Sequence, residues 1–470
     1  MFGILKYWLI FFIVFLNTAL SALNVNFSYP TFTPLGSPDL GLRGEFSQIT
    51  TDSTGRYVYA IWDNPVGVGE VLVVVSSDFG ATWSAASVIA TNIGTGRKTQ
   101  ITTNSSGQYV YAIWNNATDV QVAISSDFAT TWSDPLSTPV GTPDLGSGER
   151  AQITTNSSGK FVYAIWNVSP GAAQTAFSSD FGQNWSYPSS TPAGSPDLAT
   201  SGEFSEITTN STGEFVYAIW EVPASDDIQV AISSDFGINW SDPTSTPTGT
   251  VPDLSTSGEL SQITTNSTGK FVYAIWNDPS GSAVQVAISS DFGITWSNPS
   301  STPANTPNLA AGLNAQITTD NSGRYVHAIW DVPPGNAQVA TSLDFGLNWS
   351  YPSSTPTGTT TPSIGVGVVA QITTDISGRY IAAAWNNLAT GDIQSVISTD
   401  FGLNWSTPTS TPFGTIPPTL AIGINAQIAM DSLGRNIYVI WNTETVPTIV
   451  QTAKAFKTFF PLNNVTIQRN

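Results

Sequence analysis

The 470-residue chain is 40% hydrophobic but only 10% charged, carries a formal charge of −19, and contains no cysteine and a single histidine. That balance repels nucleic-acid phosphates and anionic membrane surfaces. It also removes disulfides, thiolate nucleophiles, cysteine zinc sites and multi-histidine metal sites, so no cofactor and no metal is expected.

At the N-terminus, Lys6 precedes an apolar run from Tyr7 to Leu16, and small residues follow at Ser21 and Ala22. This pattern predicts a signal peptide over residues 1–22, because the run is short for a membrane anchor. The mature chain is expected to be secreted, periplasmic or at the cell surface. It is expected to be a monomer with no stable membrane insertion after cleavage.

The next segment, Asn26 to Pro34, reads NFSYPTFTP and matches WSYPSSTP at Trp185 to Pro192. A unit of some fifty residues then recurs. One half is typified by QITTNSTGKFVYAIWN, Gln262 to Asn277. It occurs eight times, ending at Trp62, Trp114, Trp166, Trp220, Trp276, Trp330, Trp385 and Trp441. The other half is typified by SSDFGINWSDPTSTP, Ser233 to Pro247, and recurs with aspartates at 78, 127, 180, 235, 291, 344 and 400, spaced 49 to 56 residues apart.

Each unit reads as four strands. QITTN is the first, and a turn containing Gly leads to FVYAIW, which is apolar on both faces and so predicts a sheet covered on both sides. QVAISS is the third strand and the stretch around WSDP the fourth. A Pro/Gly-rich crossover such as STPTGTVPDLSTSG reaches the next unit. Units of this size repeating in tandem predict an all-β, closed β-propeller of four-stranded antiparallel blades. Eight blades are expected, with seven as the alternative. The last unit lacks a good fourth strand, which the N-terminal segment supplies, removing the free edges of an open array. The propeller is assigned to residues 23–456, with a tail at 457–470.

The repeated phrase resembles the Asp box, S-x-D-x-G-x-T-W, of bacterial neuraminidase repeats. Ser76 to Trp83 and Ser289 to Trp296 match it fully. Asn replaces Thr in the copies at Asp180, Asp235, Asp344 and Asp400, and Ala129 replaces Gly in the copy at Asp127. Chemistry gives these residues local work. Asp78, Asp127, Asp180, Asp235, Asp291, Asp344 and Asp400 can accept hydrogen bonds from their own turn. Gly permits a left-handed backbone, and Trp83, Trp132, Trp185, Trp240, Trp296, Trp349 and Trp405 fill space between sheets. These are read as hairpin rivets.

Propeller topology puts the box turns on the face opposite the crossovers. At the crossover face stand Gln48, Gln100, Gln152, Glu206, Gln262, Gln316, Gln371 and Gln427, a polar ring near the channel that either ties blades together through neighbouring backbone or forms a ligand-binding face. Three residues earlier come Glu45, Arg97, Glu149, Glu203 and Glu259. Asp63, Asn115, Asn167, Glu221, Asn277, Asp331, Asn386 and Asn442 follow the second strands, where they could meet sugar hydroxyls or act as ordinary loop residues. His327 takes a slot usually held by Tyr and is read as a packing variant.

The resemblance implies a sialidase-like activity, which rests on three arginines gripping a substrate carboxylate. Arg43, Arg97 and Arg150 are candidates, but they hold three different positions relative to the repeat, and the FRIP or YRIP motif is absent. Glu206 with Glu203 or Glu259 is the candidate carboxylate pair for other glycosidase chemistry. Asp-box propellers also include non-catalytic receptors. The reading preferred here is therefore a module binding a glycan or protein at the channel mouth without catalysis, with a sialidase-like glycoside hydrolase as the alternative.

Overall fold

The computed structural model describes residues 24–458 apart from 67–68, 92–97, 117, 169–170, 281, 334, 359–361 and 413–417. The expected signal peptide and Arg97 fall outside these residues. The described chain folds as eight antiparallel blades around one axis. No helix among the described residues is long and apolar enough to cross a membrane.

The inner strands are Glu45–Thr51, Gln100–Thr103, Glu149–Thr155, Glu203–Thr209, Glu259–Thr265, Leu313–Thr319, Val368–Thr374 and Ile424–Met430, defining blades 1 to 8. Each pairs with a second strand such as Val216–Val222, and that with a third such as Asp227–Ser233. The second strands alternate no polar face because both faces are covered, and their tryptophans, Trp62 to Trp441, are at most 2% exposed. Fully burying one such ring contributes roughly 2–3 kcal/mol.

The fourth strand differs from the expected single stretch. In blade 3 it pairs first at Trp185–Ser186, leaves the sheet, and returns at Asp197–Ala199 against the same third strand. The Pro-Asp-Leu segment read as part of a crossover is thus the second half of the strand. In blade 8 the third strand, Ile449–Thr458, pairs with Asn24–Ser28 and with Asp39–Leu42. The N-terminal segment completes the last blade as expected, and Gln451 Nε2 donates to Asp39 Oδ1 at 2.6 Å.

Blades are tied to one another by three repeated devices. In six blades the tyrosine of the second strand donates its hydroxyl to the 1–2 turn glycine of the next blade, as in Tyr217 to Gly269 and, at closure, Tyr438 to Gly55, while blade 7 has Ala382 in that place. His327 fills this slot in blade 6, with Nε2 3.2 Å from the Gly378 carbonyl and Nδ1 3.0 Å from Thr341 Oγ1. The aromatic side chain before the second strand stacks on the phenylalanine of the next blade's 3–4 turn, as Phe161 does on Phe236 at 4.4 Å. Finally, the 1–2 turns join head to tail. Ser53 N–H donates to Ser105 C=O, and the pattern runs through Ser157, Ser211, Ser267, Asn321, Ile376 and Ser432, whose N–H returns to Ser53 C=O. These eight bonds form a closed ring that seven blades would not supply.

Candidate functional site

The crossover mouth is shaped by a bulge. In seven inner strands the third residue after the bulge start pairs only two positions on, as in Glu203 opposite Glu221 and Glu206 opposite Ile219. The extra residue is left-handed: Phe46, Arg150, Phe204, Leu260, Asn314, Val369 and Asn425 have φ between 49° and 57°. For the five that are not asparagine this backbone is unfavourable, so something outside must impose it.

The polar residues that end the second strands do so. Asn167 donates Nδ2 to Gly202 C=O and Ser205 Oγ of the next blade. Glu221 accepts from Leu260 N–H, Asn277 from Ala315 N–H, and Asp331 from Val369 and Ala370 N–H. Asn386 holds Ala426, and Asn442 holds Gly44 across the closure. The possibility that this set meets sugar hydroxyls gives way to a structural role, because these atoms are committed to the neighbouring bulge.

The Gln ring is partly buried at one register of the inner strands: Gln48, Gln100, Gln152, Glu206, Gln262, Gln316, Gln371 and Gln427. Between blades 2 and 5 it opens into a cavity of about 150 Å³, lined by Lys98, Arg150, Gln152, Phe204, Glu206 and Gln262 among others. The Arg150 guanidinium lies 3.9 Å from the Phe204 ring centroid. Burial pushes the Glu206 carboxyl up to about 7, with Lys98 opposing only in part. Lys98 is lowered by burial and by Arg150.

Of the candidate arginines, Arg150 lines this cavity. Arg43 sits exposed in the crossover to blade 1, its N–H bound to Thr448 C=O, and does not line the cavity. Glu203 lies opposite Glu221 and does not line the cavity that holds Glu206. Lys98, Phe204 and Leu260 were missed by the sequence reading. Their signal is the position two residues before each ring glutamine, which is chemically too varied to stand out. Among the described residues no three His, Asp or Glu side chains come together as a metal site.

The other face carries the 3–4 turns and a wider cavity of about 550 Å³ lined by Thr, Asn and Ser from the 1–2 turns, including Asn104, Asn156, Asn210 and Asn266. Its polar atoms are largely spent on the fold. Asn156 Oδ1 accepts from Phe161 N–H while Nδ2 donates to Thr212 C=O of the next blade. In the 3–4 turns, Asp78 accepts from Ser76 Oγ and from the N–H and Oγ1 of Thr82 at 2.7–2.9 Å. Burial raises its carboxyl, but these hydrogen bonds win and hold it below the usual range. The same contacts recur at Asp127, Asp180, Asp235, Asp291, Asp344 and Asp400. Both central residues of each turn are left-handed, the phenylalanine as well as the glycine, and Ala129 holds φ 60° in blade 2. The arginines of this face are also engaged: Arg324 Nε donates to Leu343 C=O.

No family model and no curated protein matches the chain. Similarity to solved structures is confined to the fold. The BP39L lectin from Burkholderia pseudomallei shares 14% identity over 78% of this chain and 99% of its own, with a TM-score of 0.50. The GH74 xyloglucanase from Xanthomonas campestris shares 12% identity over 84% of this chain, with a TM-score of 0.40; the chain spans 64% of that enzyme's length.

Proposed function

We propose that the chain is an Asp-box propeller of the cell exterior that binds a glycan, without catalysis, at the crossover mouth between blades 2 and 5. The observation that carries this reading is the composition of the smaller cavity. Amide groups of Gln152 and Gln262 flank an aromatic ring, Phe204, with one carboxylate and two cations beside them. Amides and a carboxylate supply the paired donors and acceptors that sugar hydroxyls need, and an aromatic ring receives an apolar sugar face.

The same inventory argues against hydrolysis. Glycoside cleavage needs two carboxyl groups roughly 5–10 Å apart, and among the described residues Glu206 is the one carboxylate lining the cavity. The lectin propeller is consistent with glycan binding on this architecture, although fold alone does not choose a function.

Glycan-array screening of residues 23–470, followed by titration of the best hit, tests the proposal. Phe204→Ala and Gln152→Ala are expected to weaken binding at least tenfold while leaving the melting transition in place. Glycan binding unchanged in both variants would overturn the site. Turnover of a fluorogenic sialoside that vanishes in Glu206→Gln or Arg150→Ala would overturn the non-catalytic reading.

A further inference from the structure

After the first part of its fourth strand, the chain leaves each of blades 2 to 8 and lays a short extended strap over the 3–4 turn region of the next blade. From blade 2 to blade 3, Leu136 N–H donates to Gln183 C=O at 2.7 Å and Trp185 N–H donates to Ser137 C=O at 3.0 Å. The same pair recurs at every later seam. From blade 8 to blade 1 it is Thr31 N–H to Ala81 C=O at 2.8 Å and Trp83 N–H to Phe32 C=O at 3.2 Å.

The seam from blade 1 to blade 2 has no such strap among the described residues. Blade 1 is the short repeat, with 49 residues between Asp78 and Asp127 against 53 or more elsewhere. Where blade 2 carries the strap sequence Asp134 to Pro139, blade 1 runs straight into its outer strand, Ser87–Thr91. Trp132 N–H and Thr130 C=O, the counterparts of Trp185 N–H and Gln183 C=O, therefore make no backbone hydrogen bond among the described residues. The packing shows the same gap. Six tryptophans of the 3–4 turns are 3–5% exposed, whereas Trp132 is only partly buried against two small, separate clusters.

We propose that this seam is a docking site for a partner polypeptide presenting an extended Ser/Thr-x-Pro segment, paired with Trp132 and Thr130 as the chain's own straps pair elsewhere. The seven filled seams define the fit: one N–H and one C=O of the guest meet one C=O and one N–H of the turn. This is strand addition at an exposed backbone edge. Proline suits the guest because it lacks an N–H and fixes an extended φ. A second copy of the chain is a poor donor, since each of its straps is already seated on the following blade.

Hydrogen exchange of the full mature chain tests this, with the synthetic strap peptide of residues 133–140 as the probe. The Trp132 amide is expected to exchange fast in the free protein and at least tenfold more slowly on saturation. A peptide N-methylated at the position of Leu136, which removes the donor to Thr130, is expected to bind at least tenfold more weakly. Inserting the Asp134–Pro139 sequence after Ser84 should fill the seam and abolish binding. Slow exchange at Trp132 in the free protein would show the seam already filled and overturn the proposal. So would no slowing at millimolar peptide, or equal binding of the N-methylated peptide, a result that stands even if the insertion variant does not fold.

Discussion

Glu206 occupies a place that seven other blades give to glutamine, and burial holds its carboxyl near 7. A folded-state value above the unfolded one means that stability is fully present below about 4.5 and falls as pH rises through 7. Glu206→Gln is therefore expected to stabilise the protein by about 1–3 kcal/mol at pH 8 and by little at pH 4.5, as read from urea midpoints. His327 has the opposite dependence. Burial lowers its imidazole to about 3, outweighing the bond to Gly378, so its contribution is intact above 6.5 and drains away as pH falls toward 3. Thr341 faces it where six other blades carry Val, Ile or Phe and blade 8 carries Lys454. The double change His327→Tyr with Thr341→Ile restores the pattern of most other blades, and is expected to narrow the difference between urea midpoints at pH 7 and pH 4.5. Ala129 makes a third case. It sits at φ 60° where the other 3–4 turns have glycine, and a left-handed alanine costs roughly 1–2 kcal/mol. Ala129→Gly should raise stability by about 1 kcal/mol, measured by thermal unfolding.

Among the elements, the tyrosine ladder ties six of the eight blades to the next. Tyr217→Phe strands the buried Gly269 carbonyl and should cost about 1–3 kcal/mol in denaturant unfolding without moving the second strand. The strands and the N-terminal closure were legible in the sequence because they rest on strict repetition and on apolar runs, whereas the partner of the ladder's tyrosine hydroxyl, a turn carbonyl one blade away, was not. The bulge of the inner strand was not. Its left-handed residue is Phe, Arg, Leu or Val in five blades, none of which announces a positive φ, and Asn in two, and the force that imposes it comes from Asn, Asp or Glu side chains one blade away. The second half of the fourth strand, Asp197–Ala199, was hidden for a different reason, being too short for alternation to register. Lys457 shows the same limit. It stands where other blades place the 3–4 turn phenylalanine, and its ammonium lies over the Tyr380 ring where that phenylalanine would stack. A cation over a ring replaces ring on ring, a substitution that no periodic pattern reveals.

At the scale of the molecule, closure converts a row of repeats into a ring with no free end. A chain beginning at residue 44 lacks both pieces of the last fourth strand, Asn24–Ser28 and Asp39–Leu42. It is expected to lose cooperative thermal unfolding and resistance to protease, and a peptide of residues 24–42 added in trans should restore both. A truncated chain that melts as sharply as the full one would show that the ring holds without its clasp.

That clasp also orders events in time. Domains made on a ribosome ordinarily settle from the N-terminus onward, but here the earliest described strand has its partner in Ile449–Thr458, the third strand of the eighth blade. While the first seven blades are made this segment waits without a mate, its apolar Val25 and Phe27 uncovered. A nascent propeller of this design is therefore exposed to chaperones, and to other copies of itself, until its final blade emerges.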